Sequence, residues 1–71
     1  MDAMKVKAMR YFLEETQEVF AQRLGISTTT LSAIENNHRE VTNKVRSRLI
    51  RIEESFSEDF YIFLDRFRKS Q

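Results

Sequence analysis

The chain has 71 residues, which suits one domain whose core is small: at this size only about 60% of the unfolded surface is buried. With no cysteine, no proline, one glycine and 32% charged residues, the composition excludes a disulfide scaffold and predicts an all-α body of four to five helices. The formal net charge of +1 does not demand a nucleic-acid partner. The chain shows neither a secretory leader nor an apolar run that could span a membrane, so we expect it to be cytoplasmic.

In chain order, apolar spacing predicts a first helix over residues 3–13, with Val6, Met9 and Leu13 facing inward. Lys5, Lys7 and Arg10 lie on its polar side. Tyr11 and Phe12 are either partly exposed or laid against a C-terminal helix. A second helix is predicted over 17–24 after the N-cap Thr16, and a third over 28–35 after the N-cap Ser27. Phe20, Leu24, Leu31 and Ile34 give these two helices facing apolar spots, and Ala21 is small enough to let their backbones approach. Gly25, the only glycine, stands where the turn between them needs a positive φ, with Ile26 filling the corner. Leu31 and Ile34 point inward, which leaves Thr28, Thr29, Ser32 and Ala33 on the outer arc of the third helix, with Thr30 between. Two short helices set at a steep angle across a tight turn predict a helix-turn-helix.

Beyond a loop at 36–42, a helix over 43–54 with Thr42 as its cap buries Val45, Leu49 and Ile52 and turns Arg46, Arg48 and Arg51 outward. A last helix over 57–68 begins in one of two ways: a capping box from Ser55 to Glu58, or a cap at Ser57 with Phe56 stapled on Tyr61. Phe56, Phe60, Phe63, Leu64 and Phe67 form a heavy apolar stripe on it. Phe56 and Phe60 are expected to close the core. Phe63, Leu64 and Phe67 exceed what so small a body can cover, and predict a dimer interface with a second copy. Charge is segregated as well. Residues 39–51 hold five bases (Arg39, Lys44, Arg46, Arg48, Arg51) against Glu40, whereas 53–65 hold five acids (Glu53, Glu54, Glu58, Asp59, Asp65) and no base.

Through Thr16-Gln17-Glu18, Ala21, Leu24-Gly25-Ile26-Ser27 and Ile34-Glu35-Asn36, the chain resembles the lambdoid phage repressor and Cro proteins and their bacterial relatives, the XRE-type transcriptional regulators. The resemblance covers roughly residues 4–52. It implies a lambda-repressor-like DNA-binding domain in which the helix over 28–35 enters the major groove of double-stranded DNA. By the same resemblance Thr28, Thr29 and Ala33 face bases, with Ser32 as a close neighbour. Thr16, Gln17, Asn36, Arg39, Asn43 and Lys44 follow phosphates. Arg10 and Glu35 form a structural ion pair; the alternative reading is two exposed surface charges. Asn37 stands where the family commonly has glycine. Glu14-Glu15 departs from the family, which has a glycine in that link.

These readings predict a small sequence-specific regulator of phage or mobile-element type, acting as a homodimer on an inverted repeat. Hydroxyls and methyls on the reading face predict modest direct readout with A·T preference. The alternative is a helix-turn-helix protein-interaction module, such as an antirepressor or an accessory subunit of a larger regulator. Catalysis is not expected, because one loop histidine, His38, and scattered carboxylates offer no positioned acid–base pair, nucleophile or metal cluster. No cofactor, metal, membrane or small-molecule substrate is expected either.

Overall fold

Four of the five helices begin in the same way: a short polar side chain accepts a hydrogen bond from the backbone N–H three residues on, satisfying one of the free amides at the helix start. Asp2 does this for Lys5 at 2.7 Å, Thr16 for Val19 at 3.2 Å, Ser27 for Thr30 at 3.1 Å and Thr42 for Val45 at 3.3 Å. The computed structural model describes residues 1–71, and its helices are α1 (Ala3–Phe12), α2 (Gln17–Leu24), α3 (Thr28–Glu35), α4 (Asn43–Glu54) and α5 (Glu58–Lys69), with no strand. The fifth helix starts differently. Ser57 is in the cap position but its side chain makes no capping bond, and the Ser55 hydroxyl donates to the Ile52 carbonyl at 2.6 Å, so the box from Ser55 to Glu58 does not form. Glu58 and Asp59 in the first turn supply the favourable charge instead.

The ends of α1, α2 and α3 also share one device. Each closes with a residue in the left-handed region, Glu14 at φ 57°, Gly25 at 69° and Asn37 at 61°. Around each, two amides turn back onto the helix in a Schellman pattern. Glu14 and Glu15 donate to Tyr11 and Arg10, Gly25 and Ile26 to Gln22 and Ala21, and Asn37 and His38 to Ile34 and Ala33. The absent glycine after α1 is therefore replaced by a strained glutamate, and α1 ends at Phe12, one residue before the expected Leu13.

α1 lies against α3 and α5, and α2 against α3 and α4. Val6 and Met9 from α1, Phe20 and Leu24 from α2, Leu31 from α3, Leu49 from α4 and Phe60 from α5 are fully buried where these helices converge. Leu13, Ile52 and Phe56, expected inside, are only half-buried at the rim of this core. The whole body measures 28 × 25 × 20 Å.

Two expectations about the C-terminal half need correction. α5 runs from Glu58 to Lys69 rather than over 57–68, with Ser57 in the cap position just outside it. Phe67, expected at a dimer interface, is only 9% exposed within the single chain. α5 turns Phe60 and Phe67, seven residues apart and so on one face, onto α1. Tyr11 meets the Phe67 ring edge-on at 5.2 Å, and Phe12 stands between Phe56, Phe60 and Phe63 at 5.1–5.4 Å. Tyr11 and Phe12 thus cover α5, and what is left exposed there is Tyr61 and Ile62.

Candidate nucleic-acid interface

The Schellman turn at Gly25 sets the angle between α2 and α3, and Ala21 is buried where the two backbones meet. Arg48 from α4 lies over this turn. A Cβ built on Gly25 would meet only the movable tip of its guanidinium, so it is the positive φ, not space, that requires glycine there. Arg48 is accordingly half-buried rather than turned outward.

At the other end of α3 a polar network fixes the helix to α1. Arg10 donates twice to Glu35, from Nε to Oε2 at 2.7 Å and from Nη2 to Oε1 at 2.9 Å, and its Nη1 donates to the Glu15 carbonyl at 3.1 Å. Tyr11 places its ring 4.7 Å from the same guanidinium. The hydrogen bonds that Arg10 donates to Glu35 hold the Arg10 pKa above its ordinary value, against the opposing effect of burial. Gln17 then donates from Nε2 to Glu35 Oε1 at 3.1 Å. One carboxylate therefore ties together α1, the start of α2 and the end of α3, and every buried polar side-chain atom in the chain has a partner.

This frame presents a shallow concavity lined by Gln17, Thr28, Thr29, Ser32, Ala33, Asn36 and His38, without a single acidic residue. Thr28 and Thr29 are exposed, and Ser32 and Ala33 are half-buried on its floor. Thr30 is withdrawn from it, since its hydroxyl accepts from Ser27 Oγ at 2.9 Å. Thr28 and Thr29 have no such partner and keep free donors and acceptors. The Asn36 amide reaches Ser32 Oγ at 3.4 Å and closes the lower edge.

The other residues expected along phosphates, Thr16, Arg39, Asn43 and Lys44, do not line this concavity. Thr16 is exposed with its hydroxyl engaged as the α2 cap. Asn43 and Lys44 are exposed at the start of α4, and Asn43 Oδ1 accepts from Arg46 at 3.4 Å. Arg39 borders a neighbouring cleft with Asp2, Ile34, Val41 and Arg46. His38, readable from its loop position only as a surface residue or a phosphate neighbour, joins the concavity. The left-handed Asn37 turns the chain back so that the His38 amide donates to the Ala33 carbonyl at 2.8 Å, which brings the imidazole beside the outer face of α3.

A helix start, an uncharged polar helix face and a helix-joining turn packed into one surface suit a groove-reading domain, and residues 16–56 match the family described as helix-turn-helix. The chain belongs to that helix-turn-helix family. Membership places it with DNA-binding regulators. Among curated proteins it is similar to the propionyl-CoA carboxylase regulator of Cereibacter sphaeroides, 49% identical over 41 residues that cover 58% of this chain and 9% of that protein. The chain thus corresponds to a small part of that relative's length. No solved structure matches it. No helix is long and apolar enough to cross a membrane.

Proposed function

We propose that the chain is a sequence-specific DNA-binding transcription regulator that lays α3 in the major groove. Thr28, Thr29, Ser32 and Ala33 face base edges. Thr16, Gln17, Asn36, Arg39, Asn43 and Lys44 follow the phosphates, with His38 beside them. The observation that carries this reading is the acid-free concavity in which the start of α2 and the exposed arc of α3 come together. Hydroxyls there bond either donors or acceptors, and the Thr and Ala methyls suit thymine methyls, so direct readout is modest and favours A·T pairs. The absence of long side chains on this face lets the helix approach the base edges closely.

The bound form is a homodimer on a short inverted repeat, its two reading helices about 34 Å apart. The name of the Cereibacter sphaeroides relative supports a regulatory role in general terms. Selection of bound sites from random duplexes, followed by a gel-shift titration across salt, tests the reading. A recovered two-fold consensus and an affinity that falls steeply with salt are expected.

A second reading, a protein-interaction module within or beside a larger regulator, draws on the exposed Tyr61 and Ile62 of α5. It requires that no sequence be preferred even at low salt.

A further inference from the structure

His38 is the chain's only histidine, and it lines the concavity whose other residues are all neutral. Its place is set by the backbone: the left-handed Asn37 and the bond from the His38 amide to the Ala33 carbonyl leave the ring exposed beside α3. The imidazole takes part in none of the chain's ion pairs. Charged groups stand on every neighbouring element, but none lines the concavity. Glu18 of α2 is exposed, and Glu35 of α3 is buried and already held by Arg10 and Gln17. Arg39 and Glu40 follow in the loop and Lys44 stands in the first turn of α4, all three exposed. Lys7 of α1 borders the adjoining cleft, which shares Asn36, together with Asp2 and Arg68, themselves paired.

Histidine is the side chain that ordinarily changes charge between about pH 5 and 8. Its neutral ring has one N–H donor, whereas the protonated ring has two and a positive charge. A phosphate oxygen only accepts, so contact with phosphate selects the protonated ring, and a nearby anion favours that charged form. We infer that His38 meets a DNA phosphate as imidazolium, so that each chain takes up one proton from solvent on binding and DNA affinity rises as pH falls. The inference rests on the DNA-binding reading above and adds to it a proton as co-ligand. Position favours a phosphate over a base: His38 comes after the last turn of α3, past the residues that face base edges, and next in the chain to Arg39.

The sign and the limits follow from linkage. Below the pH at which the free chain already carries the proton, nothing further is gained, and above the pH at which the complex gives it up the advantage is gone. Between those limits affinity falls by at most about one decade per pH unit for each chain bound. The charge acts on phosphate, which every sequence offers, so matched and unrelated duplexes gain equally and selectivity stays constant.

Gel-shift titrations at constant ionic strength from about pH 6 to 8 test this. The probes are a duplex recovered by site selection and an unrelated duplex of the same length, and the proteins are the wild type, His38→Gln and His38→Lys. Per chain bound, the wild type is expected to hold both duplexes about three- to tenfold more tightly at the acid end. His38→Gln keeps a donor but cannot be charged, and should be flat near the wild-type affinity at high pH. His38→Lys, charged throughout, should be flat near the wild-type affinity at low pH. Both variants are expected to fold, because the side chain is exposed and the turn is held by the His38 amide. The resonance of the single imidazole, followed with and without duplex, should show the ring protonated to higher pH in the complex. A flat wild-type profile, a slope that survives in His38→Gln, or a gain confined to the selected duplex overturns the inference. Sequence-selective binding with a flat profile leaves the DNA reading standing, whereas failure to bind either duplex at any pH removes that reading and the inference with it.

Discussion

The Arg10 guanidinium and the Glu35 carboxylate, 25 residues apart in the chain, meet through two hydrogen bonds of 2.7 and 2.9 Å while only 9% and 8% of the two residues remain exposed. The contact joins α1 to the end of α3, and through Gln17 to the start of α2, so it holds the concavity in shape from behind.

Removing one partner of this pair should cost more than the pair itself contributes, because the remaining charge is left buried and unmatched. Arg10→Met and Glu35→Leu are each expected to destabilise the fold by about 3–5 kcal/mol, and the double substitution by less than either single change. Urea unfolding of the four proteins measures this. Additive losses in the cycle would mean that the two residues are not coupled.

The left-handed link after α1 makes a different prediction. Glu14 is exposed and adopts φ 57°, a conformation that costs a residue with a Cβ about 1–2 kcal/mol and glycine almost nothing. Glu14→Gly is expected to stabilise the protein by about 0.5–1 kcal/mol once the larger unfolded-state entropy of glycine is deducted. At Gly25 the sign reverses: Gly25→Ala must adopt φ 69°, and should lower the melting temperature measurably. A Glu14→Gly protein less stable than wild type would show that the turn is not strained.

Substitutions on the proposed DNA face should divide by what they touch. Thr29→Ala is expected to relax discrimination by about 1 kcal/mol at one base pair and leave nonspecific affinity unchanged. Lys44→Ala should weaken binding to every sequence and reduce the salt slope by about one ion. Quantitative gel shifts against matched and mismatched duplexes, at several salt concentrations, read both. Equal losses on all sequences for Thr29→Ala would remove it from the base-reading set.

Acid should loosen the contacts between α1 and its neighbours. Burial alone would raise the Glu53 pKa, but Lys5 at 2.9 Å and the Tyr61 hydroxyl at 2.7 Å hold it below the ordinary glutamate value. Asp2 is likewise lowered, against burial, by the Lys5 amide and by Arg68. A carboxyl with a depressed pKa in the folded state binds its proton more readily when unfolded. Its stabilising effect is therefore complete above the unfolded pKa and is lost as pH falls through the folded one. The melting temperature should drop on acidification below about pH 4.5, and Glu53→Gln and Asp2→Asn should flatten that drop. An unchanged slope in the double variant would place the acid sensitivity elsewhere.

What could be read from residue order was what neighbours along the chain decide. Thr16, Ser27 and Thr42 cap because a short oxygen-bearing side chain ahead of a helical pattern reaches the amide three residues on, whatever the rest of the fold does. Gly25 marks its turn for the same local reason, and Asn37 its own. Periodicity sufficed for the inward residues Phe20, Leu24, Leu31 and Ile34 and so for the outer arc opposite them. The tertiary structure decided everything that depends on how α1 and α5 are rotated about their own axes. That rotation buries Phe67 and leaves Ile62 outside. The joining of Gln17 to Glu35, the lodging of Arg48 over Gly25 and the place of His38 beside α3 were equally out of reach. A helical repeat fixes which residues share a face but not which neighbour that face meets, and contacts between distant segments follow from packing the whole core at once.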